Sequence, residues 1–318
     1  MNNAQKGAPG VRELLDQAVK AARRKDEDRA LSRFEECIRE YVRKQLPFKA
    51  IAVSKRARTV LGPTPRVRAL VIRTYRAAGF TGDARQELES AAAELRKKDL
   101  AFLAPLDEEA FLDLLSIMEI RSCPKGRVIV KRQDPGEDVF LLISGACEII
   151  REGRRLSILR PGDVFGEIGF FGRSARSATV KTMEKSVLVR IPSDPLRTLQ
   201  GRHACLHEIL ERIYSDRIMK KVREDMEEKD RSVQTHEVLA TFRYAKGEAI
   251  PVHSDDSIAV LKHGIVEVDF EQACLVTKRY LKPGSVISRD RVRATASSDV
   301  EVVIMRVQGG SGQETEGM

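Results

Sequence analysis

Glu167 and Arg176 stand on a glycine-punctuated turn, Gly162 to Val180, inside an otherwise strand-like stretch. Gly166, Gly169 and Gly172 let the backbone approach a ligand closely, and a short turn beginning at Ile168 aims free N–H groups at an anion. The planar guanidinium of Arg176 is always charged and matches two phosphate oxygens. Glu167, when ionised, only accepts hydrogen bonds and suits a sugar hydroxyl. The pair therefore predicts a ligand with a sugar end and a phosphate end. The structural alternative is that Glu167 and Arg176 simply pair with each other. A buried pair adds little net stability, however, and both charges beside three glycines make better sense with a phosphate present.

At these residues the chain resembles the cyclic-nucleotide-binding domain family, which includes the catabolite activator protein and the regulatory subunits of cyclic-nucleotide-dependent kinases. Gly166-Glu167-Ile168, the run to Arg176, and Ser177-Ala178-Thr179 fall in register with that family's phosphate-binding cassette. Lys125-Gly126, Gly136, Ser144-Gly145 and Pro161-Gly162 match its turn glycines upstream, and Gln133 departs from it where another glycine is usual.

Over residues 106–228 the resemblance implies a β-roll closed by a C-terminal helix and a ligand that is cAMP or cGMP, with cyclic di-GMP also admitted. Gly166, Ile168, Arg176 and Ser177 would hold the phosphate and Glu167 the ribose, with Gly169 and Ala178 lining the cassette. Ser177 can serve the phosphate or a guanine amino group and does not choose between the ligands. In the family the helix after the roll closes over the base and forms a dimer seam or docks onto an effector. Here residues 195–229 read as that helix, a candidate homodimer seam, with Tyr214 and Ile218 as the candidate base lid. A lone tyrosine on an apolar stripe is otherwise a core residue.

The elements before the cassette read as helices. Apolar residues recur at helical spacing in Val11 to Ala22, Ala30 to Tyr41, Phe48 to Leu61, Val67 to Ala78 and Ala84 to Leu95, with breaks at Lys25-Asp26, Gln45 to Pro47, Gly62 to Pro65 and Gly79 to Asp83. Residues 11–100 are thus expected to form antiparallel helical hairpins. The stretch Ala69 to Ala84 is similar to a tetratricopeptide-repeat junction, and such hairpins leave a concave face open to partners. From Tyr41 to Phe80 the chain carries Arg43, Lys44, Lys49, Lys55, Arg56, Arg58, Arg66, Arg68, Arg73 and Arg76 and no acid. Lys49 and Arg56 on one helix, and Arg66, Arg73 and Arg76 on the next, predict a basic surface for an acidic protein partner. A merely solvated arginine-rich face, or a nucleic-acid surface, is the alternative. Few aromatics are placed to stack on bases, so nucleic acid is not expected.

After the cassette, residues 246–307 echo 125–191: Lys246-Gly247 against Lys125-Gly126, His263-Gly264 against Ser144-Gly145, Lys282-Pro283-Gly284 against Arg160-Pro161-Gly162, and Ala294-Thr295 through Arg306-Val307 against Ala178-Thr179 through Arg190-Ile191. Ser288 and Arg289 stand where Gly166 and Glu167 would be, and Arg293 falls one place late to replace Arg176. A second β-roll without a ligand is therefore expected over 235–307, with residues 1–10 and 308–318 as disordered ends.

The 318 residues, with 42% apolar and 32% charged content and a net charge of +9, read as a multidomain α+β protein. No apolar run spans a bilayer and the N-terminus lacks a signal-peptide core, so a cytoplasmic location is expected. Cys37, Cys123, Cys147, Cys205 and Cys274 are scattered and read as reduced core thiols. His203 and His207, spaced i, i+4, lack the further ligands a metal site needs, so no metal and no cofactor beyond the nucleotide is expected. No catalytic constellation and no helix-turn-helix is found. The expected function is a non-enzymatic cyclic-nucleotide receptor that signals to a protein partner. Its rivals are a ligand-free scaffold and a nucleic-acid binder through residues 41–80.

Overall fold

The computed structural model describes residues 10–95, 97, 99–172, 175–229, 233–251, 257–272, 275–281, 285–287 and 293–309. Residues 1–9 and 310–318, with Cys274, Ser288 and Arg289, lie outside them. The chain divides into two compact units. One comprises the residues to Asp134, Asp138–Gly166 and Ala178–Ile209. The other comprises Pro135–Glu137, Glu167–Ser177 and Leu210 onward.

The first unit begins with α1 (Val11–Arg23), α2 (Glu27–Arg43), α3 (Pro47–Leu61), α4 (Pro65–Ala77) and α5 (Thr81–Glu94). Each packs on the next, and α1 also meets α3 and α2 meets α4. Asp26 caps α2 by accepting from the Arg29 N–H, and Thr64 caps α4 by accepting from the Val67 N–H. The prolines that read as breaks in the sequence instead start α3 and α4, because a missing N–H is no loss in a first turn. Leu14, Leu31, Phe34, Cys37, Ile38, Val53, Val67 and Leu70 form the helical core. Cys37, Cys123 and Cys147 are buried and unbridged, and burial pushes the Cys37 thiol up to about 11.

Next come α6 (Glu108–Leu115) and the strands β1 (Glu119–Cys123), β2 (Val128–Val130), β3 (Val139–Ser144), β4 (Cys147–Arg151), β5 (Arg154–Leu159), β6 (Val164–Phe165), β7 (Thr179–Thr182) and β8 (Ser186–Ile191). They form two antiparallel sheets, ordered β1-β8-β3-β6 and β2-β7-β4-β5. Phe140 stacks on Phe165 at 5.1 Å, with Leu142, Cys147, Leu159, Val180 and Leu188 around them. Gln133, the departure from the turn glycine, adopts φ +70°.

Then follow α7 (Glu167–Gly172) between β6 and β7, and α8 (Ser193–Gln200) and α9 (Ala204–Lys229) after β8. In the first unit Asp113 of α6 holds Arg73 of α4 at 2.5 Å and His203, just before α9, at 2.9 Å. Burial alone would raise the Asp113 carboxyl, but its bonds to His203 and Arg73 outweigh this and hold it below the usual range. His203 is thus spent on a structural contact. Among the described residues no cluster of His, Cys, Asp or Glu could hold a metal, and no helix is long and apolar enough to cross a membrane.

The second unit contains β9 (Val233–Tyr244), β10 (Ser257–His263), β11 (Val266–Gln272), β12 (Leu275–Leu281), β13 (Val286–Ile287), β14 (Arg293–Ala296) and β15 (Val300–Gly309). Its sheets are ordered β13-β10-β15-β9 and β12-β11-β14. The order repeats that of β1 to β8, with β2 reduced to a single bridge between Ala249 and Thr295. Even the irregularity recurs. β3 and β8 slip register between Leu142 and Ser144, and β10 and β15 slip between Leu261 and His263.

The register corrects the sequence alignment of the two copies. β7 pairs Thr182 with Cys147 two residues after Gly145, and β14 pairs Ala296 with Val266 two residues after Gly264. Ala294-Thr295 therefore matches Val180-Lys181 rather than Ala178-Thr179, and Ile304 rather than Arg306 matches Arg190. The alignment slipped by two residues. Side chains in a strand alternate faces with period two, so a two-residue slip keeps every apolar residue on its own face and leaves no mark in the pattern. Arg293 consequently stands at the Thr179 position, exposed, and is no equivalent of Arg176. The connection corresponding to 166–178 is only 288–292. β15 also runs through Gly309, two residues into the stretch expected as a disordered tail.

Candidate functional site

The chain leaves β6 through Gly166, at φ +91°, a value a side chain at this position would strain against. It then makes the short helix α7, Glu167–Gly172, whose Glu167, Gly169 and Phe170 are buried. Arg173 and Ser174 lie outside the described residues. The chain resumes with exposed Ala175, buried Arg176, and the half-buried Ser177 and Ala178 that lead into β7. Ile168 is half-buried.

Two opposite charges are thus removed from water within one loop, since Glu167 is only 3% exposed and Arg176 only 7%. Charged side chains are almost never this buried unless partnered. Within the second unit, the Arg176 side chain lies beside Gly136. A methyl group added at Gly136 would come within 3.3 Å of the Arg176 Nε and Nη2. A side chain there would press on the guanidinium, which would have to give by a few tenths of an ångström. Burial raises the Glu167 carboxyl to about 7, against the opposing pull of Arg217 in α9, its backbone hydrogen bond and Arg176. Glu167 is consequently a carboxyl close to half-ionised at neutral pH.

Arg217 is a residue that sequence reasoning missed. It sits half-buried one turn beyond Tyr214 on α9, beside Ile218. Tyr214 is fully buried. Its ring packs on Phe171 with centroids 4.9 Å apart, and its hydroxyl donates to the Lys262 carbonyl of β10 at 3.0 Å. Burial, followed by the nearby Glu167 charge, pushes its phenol well above the usual range. Ile218 is also fully buried. Tyr214 and Ile218, the candidate base lid, are thus both packed in the interior of the second unit.

The basic helical surface is corrected by the structure. Acids from outside residues 41–80 reach into it. Arg66 pairs with Asp28 at 2.7 Å, Arg73 with Asp113, and Arg76 with Glu109 and with Glu108 at 3.6 Å. Arg58 shares Glu87 with Arg68, which also reaches Glu94. A window that contains no acid in sequence is therefore largely neutralised in space. Lys49, Lys55 and Arg56 remain, all exposed, with the Lys49 ammonium 5.9 Å from the Tyr41 ring centroid.

The cyclic nucleotide-binding domain family model matches residues 120–203. A cAMP-dependent protein kinase regulatory subunit of Yarrowia lipolytica is 32% identical over 100 residues, covering 31% of this chain and 27% of that protein. A cGMP-dependent protein kinase of Drosophila melanogaster is 27% identical over 199 residues, covering 59% of this chain and 18% of the kinase. The chain thus spans well under a third of these relatives' lengths. Among solved structures, the regulatory domain of Toxoplasma gondii protein kinase A with cAMP aligns over 69% of this chain and 90% of its own at 16% identity, with a TM-score of 0.34. The segment 120–203, which holds Gly166, Glu167, Arg176 and the strands on either side of them, is a match to the cyclic nucleotide-binding domain family model, and part of the chain is similar to a cAMP-dependent protein kinase regulatory subunit and to a cGMP-dependent protein kinase.

Proposed function

We propose that this protein is a receptor for a cyclic purine mononucleotide, cAMP or cGMP, that passes occupancy to a protein partner and performs no catalysis itself. Arg176 holds the cyclic phosphate with the N–H groups of Gly166, Ile168 and Ser177, and Glu167 accepts from the ribose hydroxyl. Gly169 and Ala178 line the cassette. The observation that carries the reading is the burial of Glu167 and Arg176 on one loop, with Arg176 laid against a glycine that leaves it room. A scaffold with no ligand would have little reason to keep both charges desolvated. The family match over 120–203 and the kinase relatives support the same reading. The second roll, with 288–292 in place of a cassette, holds no nucleotide in this scheme. Its role is to receive α9, through which the helical hairpins, of tetratricopeptide type, and their partner are informed.

Titration calorimetry with cAMP, cGMP and cyclic di-GMP tests the reading. One molecule bound per chain, lost in Arg176→Ala and kept in Arg293→Ala, is the expected result. No heat with any of the three at high micromolar concentration would leave the scaffold reading in its place.

A further inference from the structure

We propose that the outward face of α3 is the docking surface for an acidic segment of a partner protein that also carries an apolar anchor. Phe48, Lys49, Ala52, Lys55 and Arg56 are all exposed on this face, while Ala50, Ile51, Val53 and Ala57 are buried on the opposite one. Their spacing brings them together on one side of the helix. Phe48 is 74% exposed, the most open of the large apolar side chains among the described residues, and meets Phe80 edge-on at 5.6 Å. A hydrophobic ring held rigid in water is the kind of group that anchors an interface.

Charge sets the chemistry of the occupant. Arg58, Arg66, Arg68, Arg73 and Arg76 are each matched by an acid of this chain. Lys49, Lys55 and Arg56 form no ion pair among the described residues, and α3 has no acid in its first turn to offset the positive end of its dipole. Within residues 41–80 the unmatched positive charge therefore lies on α3, around Phe48. A membrane-surface helix carries a continuous apolar face along its length. Here one large apolar residue is followed by Ala52 and cations. Stacking on single-stranded nucleic acid needs several open aromatic faces, and this patch offers one. An acidic peptide with one or two large apolar side chains fits both features.

The proposal deepens the partner half of the proposed function, and its test keeps the two separable. A fluorescently labelled synthetic peptide with glutamates flanking a leucine–phenylalanine pair is titrated with the full chain, with and without cAMP. The expected result is saturable binding that weakens about tenfold or more in Phe48→Ser and in the triple variant Lys49→Glu, Lys55→Glu, Arg56→Glu. Arg85→Glu, a charge reversal on the exposed face of α5, should leave it unchanged. All these side chains are exposed, so circular dichroism should show intact folds. Absence of saturable binding, an equal loss in Arg85→Glu, or tighter binding to phosphatidylserine-containing vesicles or to duplex DNA than to the peptide overturns the proposal. Peptide binding indifferent to cAMP supports the surface and counts only against the occupancy signal.

Discussion

The ring of Tyr214 in α9 packs on the ring of Phe171 at the end of α7, with centroids 4.9 Å apart and planes tilted by 34°. The same tyrosine donates its hydroxyl hydrogen to the Lys262 carbonyl in β10. One side chain therefore links α7 to β10 within the second unit. A buried, hydrogen-bonded tyrosine between two elements is costly to leave half-satisfied, so both contacts of Tyr214 help to hold the second unit together.

Tyr214→Phe separates these two contacts. It keeps the ring against Phe171 and removes the bond to Lys262, which should cost about 0.5–1.5 kcal/mol of stability. Amide exchange should quicken in β10 while β3 and β8 of the first roll keep their protection. Equal loosening in both rolls would count against a local tie.

Arg176→Ala should weaken cyclic-nucleotide binding by about tenfold to a hundredfold or more, the worth of one charge-assisted hydrogen-bonded contact. Gly136→Ala should weaken it less, because the added methyl displaces the Arg176 guanidinium by a few tenths of an ångström rather than removing it. Calorimetric affinities for both variants, beside Arg293→Ala as the neutral control, give the ranking.

The loop from Gly166 to Ala178 stood out in the sequence because its charges and glycines are local. Glu167, Arg176 and their glycines lie within one short loop, so residue type and spacing carried the information. Arg217 and Tyr214 come to that loop from distant sequence on α9 and left only weak marks in the pattern. The helices were legible from periodicity, but the electrostatics of Arg66, Arg73 and Arg76 were not. Their partners Asp28, Asp113, Glu108 and Glu109 lie outside the window that looked purely basic. A charge run read along the chain says nothing about acids that packing brings in from the next helix.

Gln133→Gly should stabilise the first roll. Gln133 holds φ +70°, a backbone shape that costs a side-chain-bearing residue roughly 1–2 kcal/mol and glycine almost nothing. Glycine's greater freedom in the unfolded chain returns part of that, leaving a net gain of about 0.5–1 kcal/mol. Thermal unfolding should shift upward with no change in nucleotide affinity. A lowered midpoint would mean that the Gln133 side chain contributes contacts that outweigh the strain.

Glu167 should make both stability and affinity depend on pH, in opposite directions. Its carboxyl titrates near 7 in the folded chain, mainly because it is buried, against about 4.5 when exposed. Between those values the folded chain holds a proton that the unfolded chain has released, so this group's contribution to stability declines as pH rises through that window. The cost above it is on the order of 3 kcal/mol. A ribose hydroxyl donating to Glu167 favours the ionised form, so binding releases a proton at neutral pH. Affinity should climb from about pH 6 to a plateau near pH 8, by up to roughly tenfold per unit on the acid side. Calorimetry in buffers of different ionisation enthalpy counts the proton directly. Glu167→Gln, which cannot ionise, should flatten the affinity profile and remove the decline in stability; a profile as steep as that of the unaltered chain would assign the titration to another group.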